Sequence, residues 1–261
     1  MRKNALPSRF NQTGKSEMTE VAAQVSSSAN ALMQELDVIT HNLANVSTAG
    51  YKRTCNSFAQ SLAAQQAGTE TESAGGVNFN SALDFSQGGI AETGRSLDFA
   101  LYGKGFFVIE TTEGPLYTRN GTFLINQNGQ IVDSEGRAVA GQTGTISIPT
   151  GASPSQITVS SDGNISVGGT NIGKFKIVDF KDNQSKLVPV GASCFQMPVE
   201  NIQPVEAENI VVKQSYQESS NVKIVDELVD MIMVSRLYEA NMKFVSAQKE
   251  ANSSLISVAM G

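Results

Sequence analysis

Tryptophan is absent from this 261-residue chain, histidine occurs once, at His41, and cysteine twice, at Cys55 and Cys194. These counts exclude a four-ligand zinc site and a disulfide framework, and they make any Cys–His nucleophile pair depend on long-range folding. No run approaches the roughly 20 apolar residues that span a bilayer, so direct membrane insertion is not expected. Positive charge is in the minority as well, with 19 Lys and Arg against 25 Asp and Glu for a net charge of −6. A nucleic-acid partner demands a basic face, and no basic stripe runs through the chain. The nearest thing to a nucleotide motif, Gly89-Ile90-Ala91-Glu92-Thr93-Gly94-Arg95-Ser96, carries Arg95 where a phosphate loop needs lysine. Beyond it, Leu97 onward reads as strand rather than the helix whose N-terminus would hold phosphate. A Gly-x-Ser-x-Gly elbow is missing too. Asp133, Glu135, Asp179 and Asp182 stand in turn-rich surroundings where carboxylates are ordinarily solvated, and Asn126, Asn128 and Asp133 miss the calcium-loop spacing. No catalytic residue, metal or cofactor is expected.

What the chain has is enough apolar residue, 40%, to bury a core, and 23 glycines that point to many turns. Its opening residues carry Arg2, Lys3, Arg9 and Lys15 before the first acid, Glu17, but no apolar core of a secretory signal. Residues 1–17 read as a basic, disordered leader, or as a stretch upstream of a start at Met18. A cleaved export signal is not expected.

Two long amphipathic segments bracket the chain. From Met18, Ala22, Val25, Ala29, Leu32, Leu36, Ile39 and Leu43 step three and four residues apart, until Asn45-Val46-Ser47-Thr48-Ala49-Gly50 stops the helix. From Asn221, Val222, Val225, Val229, Met233, Leu237, Ala240, Phe244, Ala247, Ala251 and Val258 do the same, with only Ser254 breaking the line, Ser219, Ser220 and Asn221 as candidate caps and Asp226 and Glu227 near the first turn. These patterns predict coiled-coil helices over 18–50 and 219–261. Both outrun a compact domain, so they form either a hairpin capping a globular core or a pair that also packs against other copies. Ile232, Val234, Tyr238 and Val245 add apolar surface off the main line of the second helix. One partner covers one face, so the first helix is expected on the main line and neighbouring subunits on the remainder. The methionines Met231, Met233 and Met242 fit core filling or an adaptable interface lining.

Between the helices, 51–93 reads as linker and connector, with Phe58 and Leu62 as anchors of a weak segment and Val77, Phe79, Leu83 and Phe85 alternating as a strand. A matching segment at Ile210, Val212, Gln214 and Tyr216, within the connector 199–218, is expected to run beside it. The middle, 94–198, is strand after strand: Leu97–Tyr102, Phe106–Thr111, Leu116–Thr118, Thr122–Asn126, Gln130–Val132, Thr145–Ile148, Ile157–Ser160, Asn164–Val167 and Lys174–Phe180. Glu113-Gly114, Asn120-Gly121, Asn128-Gly129, Glu135-Gly136 and Asp162-Gly163 supply turns. The expected fold is α+β, an antiparallel all-β domain inserted between long N- and C-terminal coiled-coil helices.

Three blocks carry a resemblance. Asn42-Leu43-Ala44-Asn45-Val46-Ser47-Thr48-Ala49-Gly50-Tyr51-Lys52-Arg53 resembles the N-terminal signature of bacterial flagellar rod and hook proteins. Leu97-Asp98-Phe99-Ala100, Gly103-Lys104-Gly105-Phe106-Phe107 and Tyr117-Thr118-Arg119-Asn120-Gly121-Thr122-Phe123 resemble that family's central block. Ser220-Asn221-Val222, Glu227-Leu228-Val229-Asp230-Met231-Ile232 and Arg236-Leu237-Tyr238-Glu239-Ala240-Asn241 are similar to its C-terminal signature. His41 departs from the family pattern, which usually has Asn there. The short connector from Arg53 to Gly94, with Ile90-Ala91-Glu92-Thr93-Gly94-Arg95, is most similar to the proximal rod subfamily; distal rod or hook subunits are the alternative.

The resemblance implies a structural, non-enzymatic subunit of the basal-body rod, serving motility as part of its axial drive shaft. It implies export by the flagellar type III apparatus without cleavage, a place in the rod across the periplasm, and copies of itself and neighbouring rod proteins as partners. The residues expected at the assembly interface are Leu32, Leu36, Ile39, Leu43, Asn45, Val225, Val229, Ile232, Leu237, Tyr238, Phe244 and Val245. A monomeric β-domain binding or adhesion module, with the helices as a stalk, is the competing reading.

Overall fold

The structure is a computed structural model and describes residues 10–56, 81–149, 151–191, 193–198 and 202–260. Residues 1–9 of the leader, Phe58 and Leu62 of the linker, and Val77 and Phe79 of the expected strand lie outside the described residues. The chain divides into a helical unit, up to His41 and from Val225 on, and a β unit, Asn42–Ile224, wider than the 94–198 anticipated.

In the helical unit, α1 runs Phe10–Ala44 and α2 runs Ile224–Met260, each roughly 50–55 Å long at 1.5 Å per residue. Helix α1 starts inside the stretch read as leader. It stops where a run of turn formers begins, and the backbone N–H of Thr48 donates to the Asn45 carbonyl at 3.0 Å. Helix α2 carries Asp226 and Glu227 in its first turn, where negative charge suits the helix dipole. The Ser220 hydroxyl accepts from the Val222 N–H at 3.2 Å, but Asn221 does not act as the expected cap, because its side-chain oxygen accepts from the Arg53 N–H in the β unit. The two helices are tied by the Asn241 amide donating to the Ser28 hydroxyl at 3.0 Å. Among the described residues no helix is long and apolar enough to cross a membrane.

The β unit is antiparallel throughout. Its strands are β1 (Thr54–Asn56), β2 (Ser81–Leu83), β3 (Ile90–Glu92), β4 (Phe99–Tyr102), β5 (Phe106–Glu110), β6 (Leu116–Thr118), β7 (Leu124–Ile125), β8 (Ile131–Val132), β9 (Ala138–Gly141), β10 (Gly144–Thr145), β11 (Ile157–Val159), β12 (Asn164–Val167), β13 (Thr170–Lys174), β14 (Ile177–Asp179), β15 (Val188–Val190), β16 (Cys194–Gln196), β17 (Val205–Glu206), β18 (Val211–Gln214) and β19 (Tyr216–Glu218). The main sheet follows the order β15-β16-β6-β5-β9-β8-β7, and β14 also pairs with β5. Strand β5 is the centre because neither of its faces is polar. Phe107 and Ile109 enter one cluster with Phe99, Phe123 and Phe175, while Phe106 and Val108 enter a second with Tyr117, Phe180 and Phe195. Edge-to-face rings knit the first cluster, with Phe107 to Phe123 at 5.2 Å and Phe107 to Phe175 at 5.5 Å between centroids; each such ring, fully buried, contributes about 1.5–3 kcal/mol.

Two expectations are corrected. The segment with Leu83 does not run beside 210–216. Strand β2 pairs with β1, whereas β18 pairs with β4 and β19 with β3. The cause is a kink at Ser215, whose φ of 67° breaks the return strand in two: its N–H donates to the Asp98 carbonyl and its carbonyl accepts from the Thr93 N–H, both at 2.8 Å. Strand β4, buried but for Tyr102, takes the first half and β3 the second. The Asn120-Gly121 pair is the other correction, since Gly121 does not adopt positive φ. Glycine is required there by close approach, because a Cβ would run into the Phe99 carbonyl oxygen.

Candidate assembly surface and the node at the helix roots

On α1 the line read from the sequence is the covered one. Ile39 is buried, and Leu32, Leu36 and Leu43 are half-buried. Asn45 lies beyond the helix in the turn, where its side-chain oxygen accepts from the Thr48 hydroxyl at 3.2 Å.

On α2 the assignment of faces is reversed. Val225, Val229, Met233, Leu237 and Phe244, the expected inner line, are exposed, at 72, 49, 58, 55 and 53%. Met231, Val234, Tyr238, Asn241, Val245 and Gln248, all partly covered, are spaced three and four apart on the line whose Asn241 reaches Ser28 of α1. Val234, Tyr238 and Val245, reserved for neighbours from the sequence, therefore lie on the inner side; Ile232, 62% exposed, stays on the outer. Sequence pattern could not separate the faces because apolar residues surround α2. A 3.6-residue period marks a stripe only against a polar background.

Within the β unit, charged side chains from distant segments meet in the interior. The Lys52 ammonium lies 2.7 Å from Glu218 Oε1, both side chains fully buried, and it also donates to the Ser86 carbonyl at 2.7 Å. Arg119 stands 3.4 Å from Glu218 Oε2 and donates to the Gly103 carbonyl at 2.6 Å, with its guanidinium 5.5 Å from the centre of the Phe106 ring. Glu218 Oε1 accepts further from the Gly88 N–H at 3.0 Å, and the Glu218 carbonyl from the Gly50 N–H at 2.8 Å. Burial pushes the Lys52 ammonium below its ordinary value, opposed by the attraction of Glu218. Burial lowers Arg119 too, with Glu218 and Asp179 opposing.

Two asparagines frame this node. Asn42 Oδ1 accepts from the Tyr51 hydroxyl at 3.1 Å and the Thr54 N–H at 2.9 Å, and its amide donates to the Thr54 carbonyl at 2.8 Å. Asn221 Oδ1 accepts from the Arg53 N–H at 2.7 Å, and its amide donates to the Asp84 carbonyl at 2.8 Å. Gly50, at φ 69°, lies so close to Asn120 that a Cβ would strike its backbone. All three signature blocks thus converge at one place. Reading the sequence missed roles for Lys52, Arg119 and Glu218; the one available signal was charge standing inside or beside blocks otherwise made of turn formers and apolar residues.

Among the described residues no three His, Cys, Asp or Glu side chains cluster as metal ligands. Comparison with known proteins gives the family. Residues 24–52 match the family described as flagella basal body rod protein, 100–167 the flagellar hook protein FlgE/F/G D1 domain, and 213–258 the flagellar basal body rod FlgEFG protein C-terminal region. The flagellar basal-body rod protein FlgG of Agrobacterium fabrum is 34% identical over 246 residues, covering 85% of this chain and 92% of that protein. The chain belongs to the flagellar basal-body rod protein family. FlgG of Bacillus subtilis is 32% identical over 86% of this chain and 93% of its own length, and the rod protein FlgF of Caulobacter vibrioides is 30% identical over 86% and 91%. As a rod-family structural subunit, the chain is a component of the flagellar basal body that assembles with other rod proteins.

Proposed function

We propose that this rod subunit joins the axial shaft through its terminal helices, with α1 and the inner line of α2 meeting as a coiled coil and the outer line of α2 packing on other copies and on neighbouring rod proteins. The observation that carries this is the outer line itself: Val225, Val229, Ile232, Met233, Leu237 and Phe244 expose a continuous apolar strip on one helix. Large contiguous apolar strips on a soluble surface mark interaction sites, and an interface repeated without closure yields a filament or tube. The interface extends to Leu32, Leu36, Ile39 and Leu43 on α1 and to Tyr238 and Val245 on the inner line, which position the outer strip. The chain reaches the rod across the periplasm through the type III export apparatus without cleavage, and it carries out no catalysis. The placement is proximal, supported by the short connector from Arg53 to Gly94 and the run Ile90–Arg95.

The test is Leu237→Asp and, separately, Phe244→Asp, each assayed for incorporation into rods and for motility. Both are expected to abolish incorporation while the β unit stays folded. Normal rods in both would overturn the reading.

A further inference from the structure

We infer that the node around Lys52, Arg119 and Glu218 is a latch that closes the neck of the β unit in the free subunit, before the helices find partners, and that it cannot close until the C-terminal segment has arrived. Its three charges come from three separate stretches: Lys52 just after α1, Arg119 after β6, and Glu218 at the end of β19. Among the described residues Glu218 is the one carboxylate in direct contact with both cations, and all three side chains are almost wholly buried. A chain lacking β19 would hold two cations in the interior without their counter-charge, a state costing about 3–5 kcal/mol, which favours an open neck until Glu218 inserts.

The latch extends along both sides of the neck. Lys52 and Asn221 both reach the Ser86 carbonyl, at 2.7 and 3.3 Å. The Ser219 N–H donates to the Gly89 carbonyl at 2.7 Å. A Cβ on Gly88 would collide with the Ser219 carbonyl oxygen, so the two segments touch backbone to backbone. Every one of these contacts lies inside the β unit and needs no neighbouring subunit. The neck is therefore ordered by contacts the chain makes with itself, unlike the outer line of α2. The latch goes beyond the assembly reading and does not depend on it.

Hydrogen exchange on the dilute full-length chain tests it. In the unaltered protein the amides of Gly50, Arg53, Thr54 and Gly88, each bonded within the neck, are expected to be protected to within about tenfold of core amides such as Phe123, with global opening as their common limit. Glu218→Gln is expected to cut neck protection by about 100-fold or more, the size expected for removing one partner of a buried ion pair, with Phe123 and Val108, which share the global limit, falling no further than the neck. Asn221→Ala, which leaves every charge paired, is expected to loosen Arg53 in the same direction and decides the matter if Glu218→Gln does not fold. Unprotected neck amides in the unaltered dilute chain, or protection unmoved in both variants, would overturn the latch. The exchange of α2 amides in the same spectra reports separately on whether the helices are ordered before assembly, so failure of one reading is distinguishable from failure of the other.

Discussion

Lys52 and Glu218 form a fully buried ion pair, 2.7 Å from nitrogen to oxygen, across 166 residues of sequence. A contact of that span closes the whole β unit as a loop, and removing one partner leaves the other charged in the interior. Glu218→Leu, which strands both Lys52 and Arg119, is therefore expected to destabilise the β unit by about 3–5 kcal/mol in denaturant titration. Lys52→Met, which leaves Glu218 facing Arg119, should cost less; a Lys52→Met variant as unstable as Glu218→Leu would contradict the shared pairing.

Gly121 offers a sharper test of packing. A methyl group there meets the Phe99 carbonyl oxygen, a backbone atom that cannot rotate away. Gly121→Ala is expected to cost about 2–3 kcal/mol, read as a lowered denaturation midpoint with an unchanged slope. If backbone conformation were the constraint instead, as the Asn120-Gly121 motif suggests, the cost would be smaller, because Gly121 sits outside the positive-φ region.

The two faces of α2 should respond oppositely in the dilute chain. Ile232→Asp changes an exposed side chain, and its effect on thermal unfolding is expected to stay within about 0.5 kcal/mol. Val234→Asp places charge on the half-buried line that faces α1 and should reduce helicity by circular dichroism without assembly entering the measurement. The face assignment from spacing alone puts both residues on the side kept for neighbouring subunits and predicts no difference between them.

Cys194 ties stability to alkaline pH. Burial pushes its thiol above the ordinary 9.0, with the nearby Arg137 guanidinium opposing. A group whose folded pKa is raised contributes stability that is complete below the unfolded pKa and lost as pH rises through the folded one. The stability difference between the unaltered chain and Cys194→Ala, roughly 1 kcal/mol near neutrality, should therefore shrink above about pH 9. Thiol-reactive reagents should reach Cys194 at the rate of local opening.

The sequence was most informative where one physical signal acted alone. The α1 line, the strand at Phe106–Glu110 and the strands at Leu116–Thr118 and Asn164–Val167 follow directly from period and turn chemistry. Strands β9, β13, β15 and β16 were missed, since Ala138–Gly141, Thr170–Lys174, Val188–Val190 and Cys194–Gln196 are short, small or glycine- and proline-bearing, and tertiary pairing rather than propensity makes them strands. The return strand misled because one non-glycine residue, Ser215, adopts a conformation no pattern announces. For the candidate site, the residues of the outer strip on α2 were all legible as apolar, but the side they face was not, because apolar residues on every side give no contrast. The ion node was invisible for the opposite reason: a charge in a sequence reads as surface until its partner, far away in the chain, is known.

The split return strand has a mechanical consequence. Because α2 follows β19 without an intervening domain, tension entering the β unit from α2 must pass through β19, then Ser215, then β18. The ladders to β3 and β4 thus act in series, with the Glu218 ion pairs at their head. Glu218 and Asn221 also tie that end of the strand directly to Lys52, Arg119 and Arg53, so tension arriving from α2 meets those contacts before it reaches the Ser215 kink.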